Sequence, residues 1–174
     1  FIQQIVNGLV LGSIYALIAL GYTMVYGILG IINFAHGDVL MVGAMSALTA
    51  INFLQKYFPN LPDWLTLVFA LLFAMPVCAI VAYTIERVAY RPLRNAPRLA
   101  PLITAIGVSI VLQTLAMMIW SRNPLTFPQL LPSSPIDIGS TGATITGKEI
   151  AIILVSILVM VGLILLVNRT KLGR

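Results

Sequence analysis

Residues 5–32 read IVNGLVLGSIYALIALGYTMVYGILGII, a stretch with no charged side chain. Because the hydrocarbon core of a bilayer needs roughly 20 apolar residues per helix, this stretch suffices for one tilted membrane helix and a turn. Four further apolar segments follow, at residues 39–54, 65–85, 102–120 and 150–167. The sequence therefore predicts an all-α, polytopic transmembrane helix bundle with about five spans. If the first stretch formed two spans, the N-terminus would change sides.

The composition excludes several classes of protein. Of the 174 residues, 60% are hydrophobic and 9% are charged, against about 25% charged in a soluble domain. This balance excludes a soluble globular protein, a disordered tail and a fibrous repeat. The net charge is +5, but the basic residues form short clusters instead of the continuous face that nucleic acid requires. The single cysteine, Cys78, excludes an internal disulfide and is interpreted as a buried apolar residue.

The distribution of basic residues predicts the orientation of the spans. Cytoplasmic loops are enriched in Lys and Arg, so loop 90–100 and tail 169–174 are assigned to the cytoplasm and loop 122–148 to the periplasm. With Arg87 counted inside and Lys56 outside, this arrangement places seven basic residues inside and three outside. Loop 122–148 is rich in proline and glycine and is predicted to contain a short hairpin around residues 138–145.

A polar segment interrupts the apolar runs. Residues 27–38 read GILGIINFAHGD, and the glycines predict a broken helix here. Irregular backbone within a membrane must be buried in protein or line a cavity, and broken helices often form substrate passages in transporters. Asp38 is predicted to be the N-cap of the helix that starts at Val39.

Two interpretations of this segment stay open: a gate or passage lining, and a plain cytoplasmic turn before a capped helix. Polar side chains in the spans likewise either contact a solute or bond between helices. The candidates for the passage or gate are Asn33, His36, Gly37, Asp38, Tyr15, Thr23 and Gln113.

Other chemistry is poorly represented. Gly8, Gly12 and Ala16 have the four-residue spacing that lets membrane helices pack closely. His36 and Asp38 alone are too few ligands for a metal site. We expect no catalytic, cofactor-binding or metal-binding residues. No predicted span has a charge in its middle, which argues against an ion pump or a proton-coupled carrier. Any energy source would therefore lie in another chain.

Several stretches resemble one family. Residues 7–27 read NGLVLGSIYALIALGYTMVYG and residues 32–44 read INFAHGDVLMVGA; residues 86–94 read ERVAYRPLR and residues 102–113 read LITAIGVSIVLQ. These stretches resemble the branched-chain amino acid ABC transporter permeases, in particular the LivH-type subunit. The closing residues 168–174, NRTKLGR, are similar to the approach to the family's cytoplasmic coupling helix.

The resemblance implies an importer that works by alternating access in the inner membrane. It implies about eight spans, a second LivM-type permease subunit, two cytoplasmic ATPases that bind ATP and Mg, and a periplasmic binding protein for leucine, isoleucine or valine. On this picture Asn33, His36, Gly37 and Asp38 lie beside the passage. Residues 1–174 are then a single permease domain, the N-terminal part of a longer protein, and the coupling loop and last spans are absent.

Two alternative functions stay open at this point. One is a related permease for urea or short amides, and the other is a passive facilitator that needs no ATP. A purely structural membrane subunit would predict that changes at Asn33 or Asp38 leave uptake intact.

Overall fold

The computed structural model describes residues 2–29, 33–93, 96–97, 99–130, 135–137 and 144–169. These ranges contain five α-helices and two short strands. The helices are α1 (Ile2–Leu29), α2 (His36–Tyr57), α3 (Asp63–Ile85), α4 (Leu99–Ile119) and α5 (Gly147–Arg169); the strands are β1 (Pro135–Asp137) and β2 (Thr144–Thr146). All five helices are long and apolar enough to cross a membrane. The predicted all-α architecture with five spans is confirmed.

Helix boundaries agree with the predicted single first span and depart from the predicted end of the third. The first apolar stretch forms one helix, α1, and not two. The third span does not stop at the predicted residue 85, because a π-helical turn (Glu86–Tyr90) and a 3-10 turn (Arg91–Leu93) continue α3. Pro92 lies within the 3-10 turn.

The predicted break near residues 27–38 lies between α1 and α2. Gly27 is still within α1, which ends at Leu29, and α2 begins at His36. Residues 33–35 are not helical, and residues 30–32 lie outside the described part of the chain. The polar segment therefore joins two spans, as the sequence predicts.

The described chain divides into two compact units, and the first comprises α1, the two strands and α5. The strands pair antiparallel with Ile136 opposite Ile145, so a hairpin forms. Residues 138–143, which make up most of the predicted hairpin, come between the two strands in sequence and are outside the described ranges. The side chain of Gln3 binds β2 at two points: the N–H of Thr144 donates to Oε1 at 2.7 Å, and Nε2 donates to the Thr144 carbonyl at 3.0 Å.

The second unit comprises α2, α3 and its two terminal turns, α4 and the segment that follows α4. One buried cluster contains Ile51, Ala70 and Leu130. Small buried residues on the helices permit close approach, which is how membrane helices pack without a hydrophobic driving force. The tightest such approach joins α2 and α3, since a Cβ on Gly43 would lie 2.6 Å from Sγ of Cys78.

The prediction that residues 1–174 form one domain is not decided by this division and stays a prediction. Most large apolar side chains of α1 and α5 are exposed. Exposure of this kind is expected when the surrounding solvent is lipid.

Candidate functional site

The start of α2 is set by a turn at Asn33. The carboxamide oxygen of Asn33 accepts a hydrogen bond from the backbone N–H of Ala35 at 3.0 Å. The His36 N–H donates to the Asn33 carbonyl at 3.2 Å. Asn residues favour such side-chain-to-backbone turns because their short side chain reaches the N–H two residues on. This turn folds the chain into the helix that begins at His36.

The prediction that Asp38 is an N-cap was wrong. The N-cap position is Ala35, which offers no side-chain cap, and Asp38 is the third residue of α2. The reason is that the Asn33 turn starts the helix earlier than the apolar pattern indicates. A carboxylate in the first helical turn still interacts favourably with the positive helix end.

The side chain of Asp38 is instead bonded to α4. Asp38 is only 8% exposed, and its Oδ1 accepts a hydrogen bond of 3.0 Å from Nε2 of Gln113. The same nitrogen of Gln113 donates to Oγ of Ser109 at 3.2 Å, one turn earlier on α4. Because a carboxamide NH₂ has two hydrogens, both donors of Gln113 are engaged. Two predicted site residues, Asp38 and Gln113, are thus brought into contact.

A second long-range bond holds the same segment. The hydroxyl of Tyr90, the last residue of the π turn, donates to Oδ1 of Asn33 at 2.6 Å. Tyr90 is buried in a cluster with Ile85 and Ala105, against which Val39 also packs. We call Asn33, Asp38, Tyr90, Ser109 and Gln113 the joint cluster. Two bonds from different elements thus converge on residues 33–38, which we call the joint.

The remaining predicted site residues are not members of the joint cluster. His36 is half-buried and has an interaction partner, whereas Gly37 is exposed. On α1, in the first unit, Tyr15 is 68% exposed, and the hydroxyl of Thr23 donates to the Leu20 carbonyl at 2.9 Å. Their roles in a passage stay predictions.

The predicted packing face of α1 is exposed among the described residues. Gly8, Gly12 and Ala16 are exposed, and a Cβ built on either glycine meets nothing within 4 Å. Their predicted role in close helix packing therefore stays a prediction. Among the described residues, no group of three or more His, Cys, Asp or Glu side chains is placed to hold a metal ion.

Sequence reasoning missed Tyr90 and Ser109 as members of the site. Both lie in stretches that carry the family resemblance, residues 86–94 and 102–113. The structure shows that these two stretches and residues 32–44 converge through the joint cluster. A search for polar residues within resembling stretches would have found both side chains.

The second unit also has an apolar groove between α2 and α3. Its volume is about 580 Å³, and its lining residues are Thr49, Ala50, Phe53, Leu54, Phe69, Leu72 and Phe73. The one polar lining group, the hydroxyl of Thr49, donates to the Met45 carbonyl and accepts from Nε1 of Trp120. The groove shares no residue with the joint cluster and presents little polar chemistry to a charged solute.

Comparison with known proteins adds an independent observation. Residues 4–174 match the family described as the permease component of the branched-chain amino acid transport system. The whole chain is 46% identical to the high-affinity branched-chain amino acid transport system permease protein BraD of Pseudomonas aeruginosa. It is 41% identical to the permease protein LivH of Salmonella typhimurium and 40% identical to LivH of Escherichia coli. The chain spans 57% of the length of each relative. No solved structure matches it significantly.

Proposed function

Because the chain belongs to the family of branched-chain amino acid transport permeases, we propose that it is a membrane subunit of an ATP-driven importer for leucine, isoleucine and valine. The observation that carries the proposal is the family match over residues 4–174. The names of the relatives, which are high-affinity branched-chain amino acid permease proteins, support the same substrate class.

The joint cluster is proposed to border the passage and to act in its gating. An aliphatic amino acid needs apolar contacts for its side chain and polar groups for its zwitterion. Apolar side chains are abundant on all five helices, and broken helix ends supply backbone dipoles where a polar solute needs them. Asn33 and Asp38 stand at such a break, and His36 and Gly37 lie between them. These positions support a gate at the joint.

Transport is proposed to proceed by alternating access, without a covalent step in this chain. ATP and Mg would bind to two partner ATPases, and their hydrolysis cycle would expose the passage to each side in turn. A second LivM-type permease would complete the passage, and a periplasmic binding protein would deliver the amino acid. The family match supports this assembly.

The proposed location is the inner membrane, with loop 90–100 and tail 169–174 in the cytoplasm and loop 122–148 in the periplasm. The excess of Arg and Lys in the first two segments supports this orientation. Under it, the π turn and the adjoining 3-10 turn lie at the cytoplasmic end of α3.

Substrate competition in cells tests the proposal. The complete permease would be expressed with its neighbouring subunits in a strain that lacks high-affinity leucine uptake. We expect restored uptake of labelled leucine, competed by isoleucine and valine and not by urea. Competition by urea or short amides alone would contradict the substrate assignment. Uptake that persists after inactivation of the partner ATPases would instead favour a passive facilitator.

A further inference from the structure

We propose that Tyr90 is a positioning residue for transport, which couples the π-helical end of α3 to the joint between α1 and α2 by holding Asn33. The inference rests on the proposed function of the joint as a gate. The coupling itself is visible in the geometry. One oxygen, Oδ1 of Asn33, accepts both the hydroxyl of Tyr90 at 2.6 Å and the N–H of Ala35 at 3.0 Å. The atom that shapes the turn is therefore the atom that Tyr90 holds.

The π turn is what presents Tyr90 to the joint. Ile85 and Tyr90 belong to the same buried cluster, whereas Val88 between them is 70% exposed. In an α-helix, the residues three and four positions after Ile85 would return to its face. Here Ala89, four positions on, packs against the cluster, and Tyr90, five positions on, is buried within it. The Arg91 N–H donates to the Glu86 carbonyl, which is the five-residue spacing of a π turn. Such turns are rare and frequently lie at functional sites.

Two hydrogen bonds hold the joint at its two ends. Tyr90 binds Asn33, the first residue of the joint, and Gln113 of α4 binds Asp38, the last. A displacement of the end of α3 relative to α4 therefore acts across residues 33–38. Loss of either hydrogen bond would release the joint from one of the two helices. Interfaces of this kind switch between discrete arrangements and do not deform continuously, so the release would change the arrangement of the joint as a whole. Tyr90 thus transmits the position of the α3 end through its bond to Asn33.

Replacement of Tyr90 by phenylalanine isolates the hydroxyl. Tyr90 is 5% exposed, so the phenyl ring introduced by Tyr90→Phe keeps the apolar contacts. Among the contacts of the described residues, the substitution removes only the bond to Asn33. Tyr83→Phe is the matched control, because Tyr83 lies on the same helix, is 60% exposed and bonds through its hydroxyl only to Arg87 among the contacts described.

The first test is hydrogen exchange of the complete permease in nanodiscs, with no substrate or partner. We expect Tyr90→Phe to accelerate exchange of the peptide covering residues 33–38 about fivefold, the effect of losing one neutral hydrogen bond. Tyr83→Phe is expected to leave that peptide unchanged. Unchanged exchange in Tyr90→Phe, or equal acceleration in both variants, would overturn the coupling.

The second test is leucine uptake by the complete assembly in proteoliposomes. We expect Tyr90→Phe to lower the maximal rate about fivefold with KM within twofold of wild type, and to have no further effect when Asn33→Ala is already present. A raised KM at an unchanged maximal rate would mean that Tyr90 contacts solute, and would overturn the positioning role. So would an unchanged maximal rate. If the wild-type assembly moves no leucine while exchange responds as expected, the coupling stands and the proposed substrate fails.

Discussion

At the scale of single residues, Asp38 is the most unusual side chain of the chain. It is a carboxylate within a membrane-spanning helix, it is buried, and an uncharged carboxamide holds it. Ionisable residues in membrane spans are costly and generally face the interior of the bundle or a water-filled cavity. Retaining one at the first turn of α2 therefore points to a role that an apolar residue cannot fill.

Replacement of Asp38 by leucine tests that role. In the complete protein we expect Asp38→Leu to reduce uptake at least tenfold while membrane insertion stays near the wild-type level. The reason is that α4 loses the bond from Gln113 to the buried carboxylate of Asp38, and a hydrogen bond to a carboxylate is worth about 1.5–3 kcal/mol. Asp38→Asn, which keeps an acceptor oxygen, is expected to lose less. The amount of each variant in the membrane is measured by immunoblotting and compared with its uptake rate. A loss of protein instead of activity would favour a purely structural role.

Gly43 is required by the close approach of α2 to α3. A methyl group at this position would lie 2.6 Å from Sγ of Cys78, so Gly43→Ala is expected to destabilise the protein by about 1–3 kcal/mol through overpacking. Thermal unfolding of the purified permease measures the effect. Gly107→Ala, where the added Cβ meets nothing within 4 Å of this chain, is the control.

The sulfur of Cys78 provides the check on this explanation. If overpacking is the cause, Cys78→Ala should restore most of the stability lost in Gly43→Ala, because the clashing atom is gone. An unfolding temperature that falls equally in the single and the double variant would show that the clash is not the cause.

The position of the joint was predictable from its residue types, but the hydrogen-bond partners of its side chains were not. Glycines and polar side chains between two apolar runs identified the joint, because the bilayer makes such residues conspicuous. The partners were not predictable, since Tyr90 lies 57 positions from Asn33 and Gln113 lies 75 from Asp38. Such pairs depend on how helices pack. The N-cap prediction failed for a local reason, because the side chain of Asn33 closes a turn earlier in the chain.

At the scale of elements, the hairpin of the first unit is attached to the start of α1 by one side chain. Gln3 donates to and accepts from the backbone of Thr144, as a neighbouring strand would. At the other side of β2, Oε2 of Glu149 accepts the Thr146 N–H at 2.7 Å. The short hairpin is therefore held at both the beginning of α1 and the beginning of α5.

Removal of the Gln3 carboxamide tests this attachment. We expect Gln3→Ala to accelerate hydrogen exchange at the Thr144 amide about thirtyfold, since two hydrogen bonds of about 1 kcal/mol each are lost. Gln4→Ala, at the exposed neighbouring glutamine, is the control. Equal exchange at Thr144 in the two variants would rule out the attachment.

The existence of the five helices was the most predictable property of the elements. A bilayer imposes a minimum length of apolar sequence, and that length is read directly from the chain. The continuation of α3 through a π turn was not predicted, because charged and polar residues from Glu86 onward resemble a helix end. Only the packing of Tyr90 beside Ile85 and Ala105 explains why helical structure continues there.

At the scale of the whole molecule, the chain belongs to a family of permeases and spans 57% of the length of the relatives it matches. We have proposed that partner ATPases supply the energy and that residues 33–38 of this chain act as a gate. Under that proposal, transport against a gradient belongs to the complete assembly, to which this chain contributes the joint cluster.

The most direct test is accumulation of labelled leucine in proteoliposomes that contain the complete permease, its neighbouring permease, the ATPases and the binding protein. We expect accumulation above the external concentration only when both ATP on the ATPase side and the binding protein are present. Equilibration of leucine without ATP, or ATP-driven accumulation that does not need this chain, would contradict it.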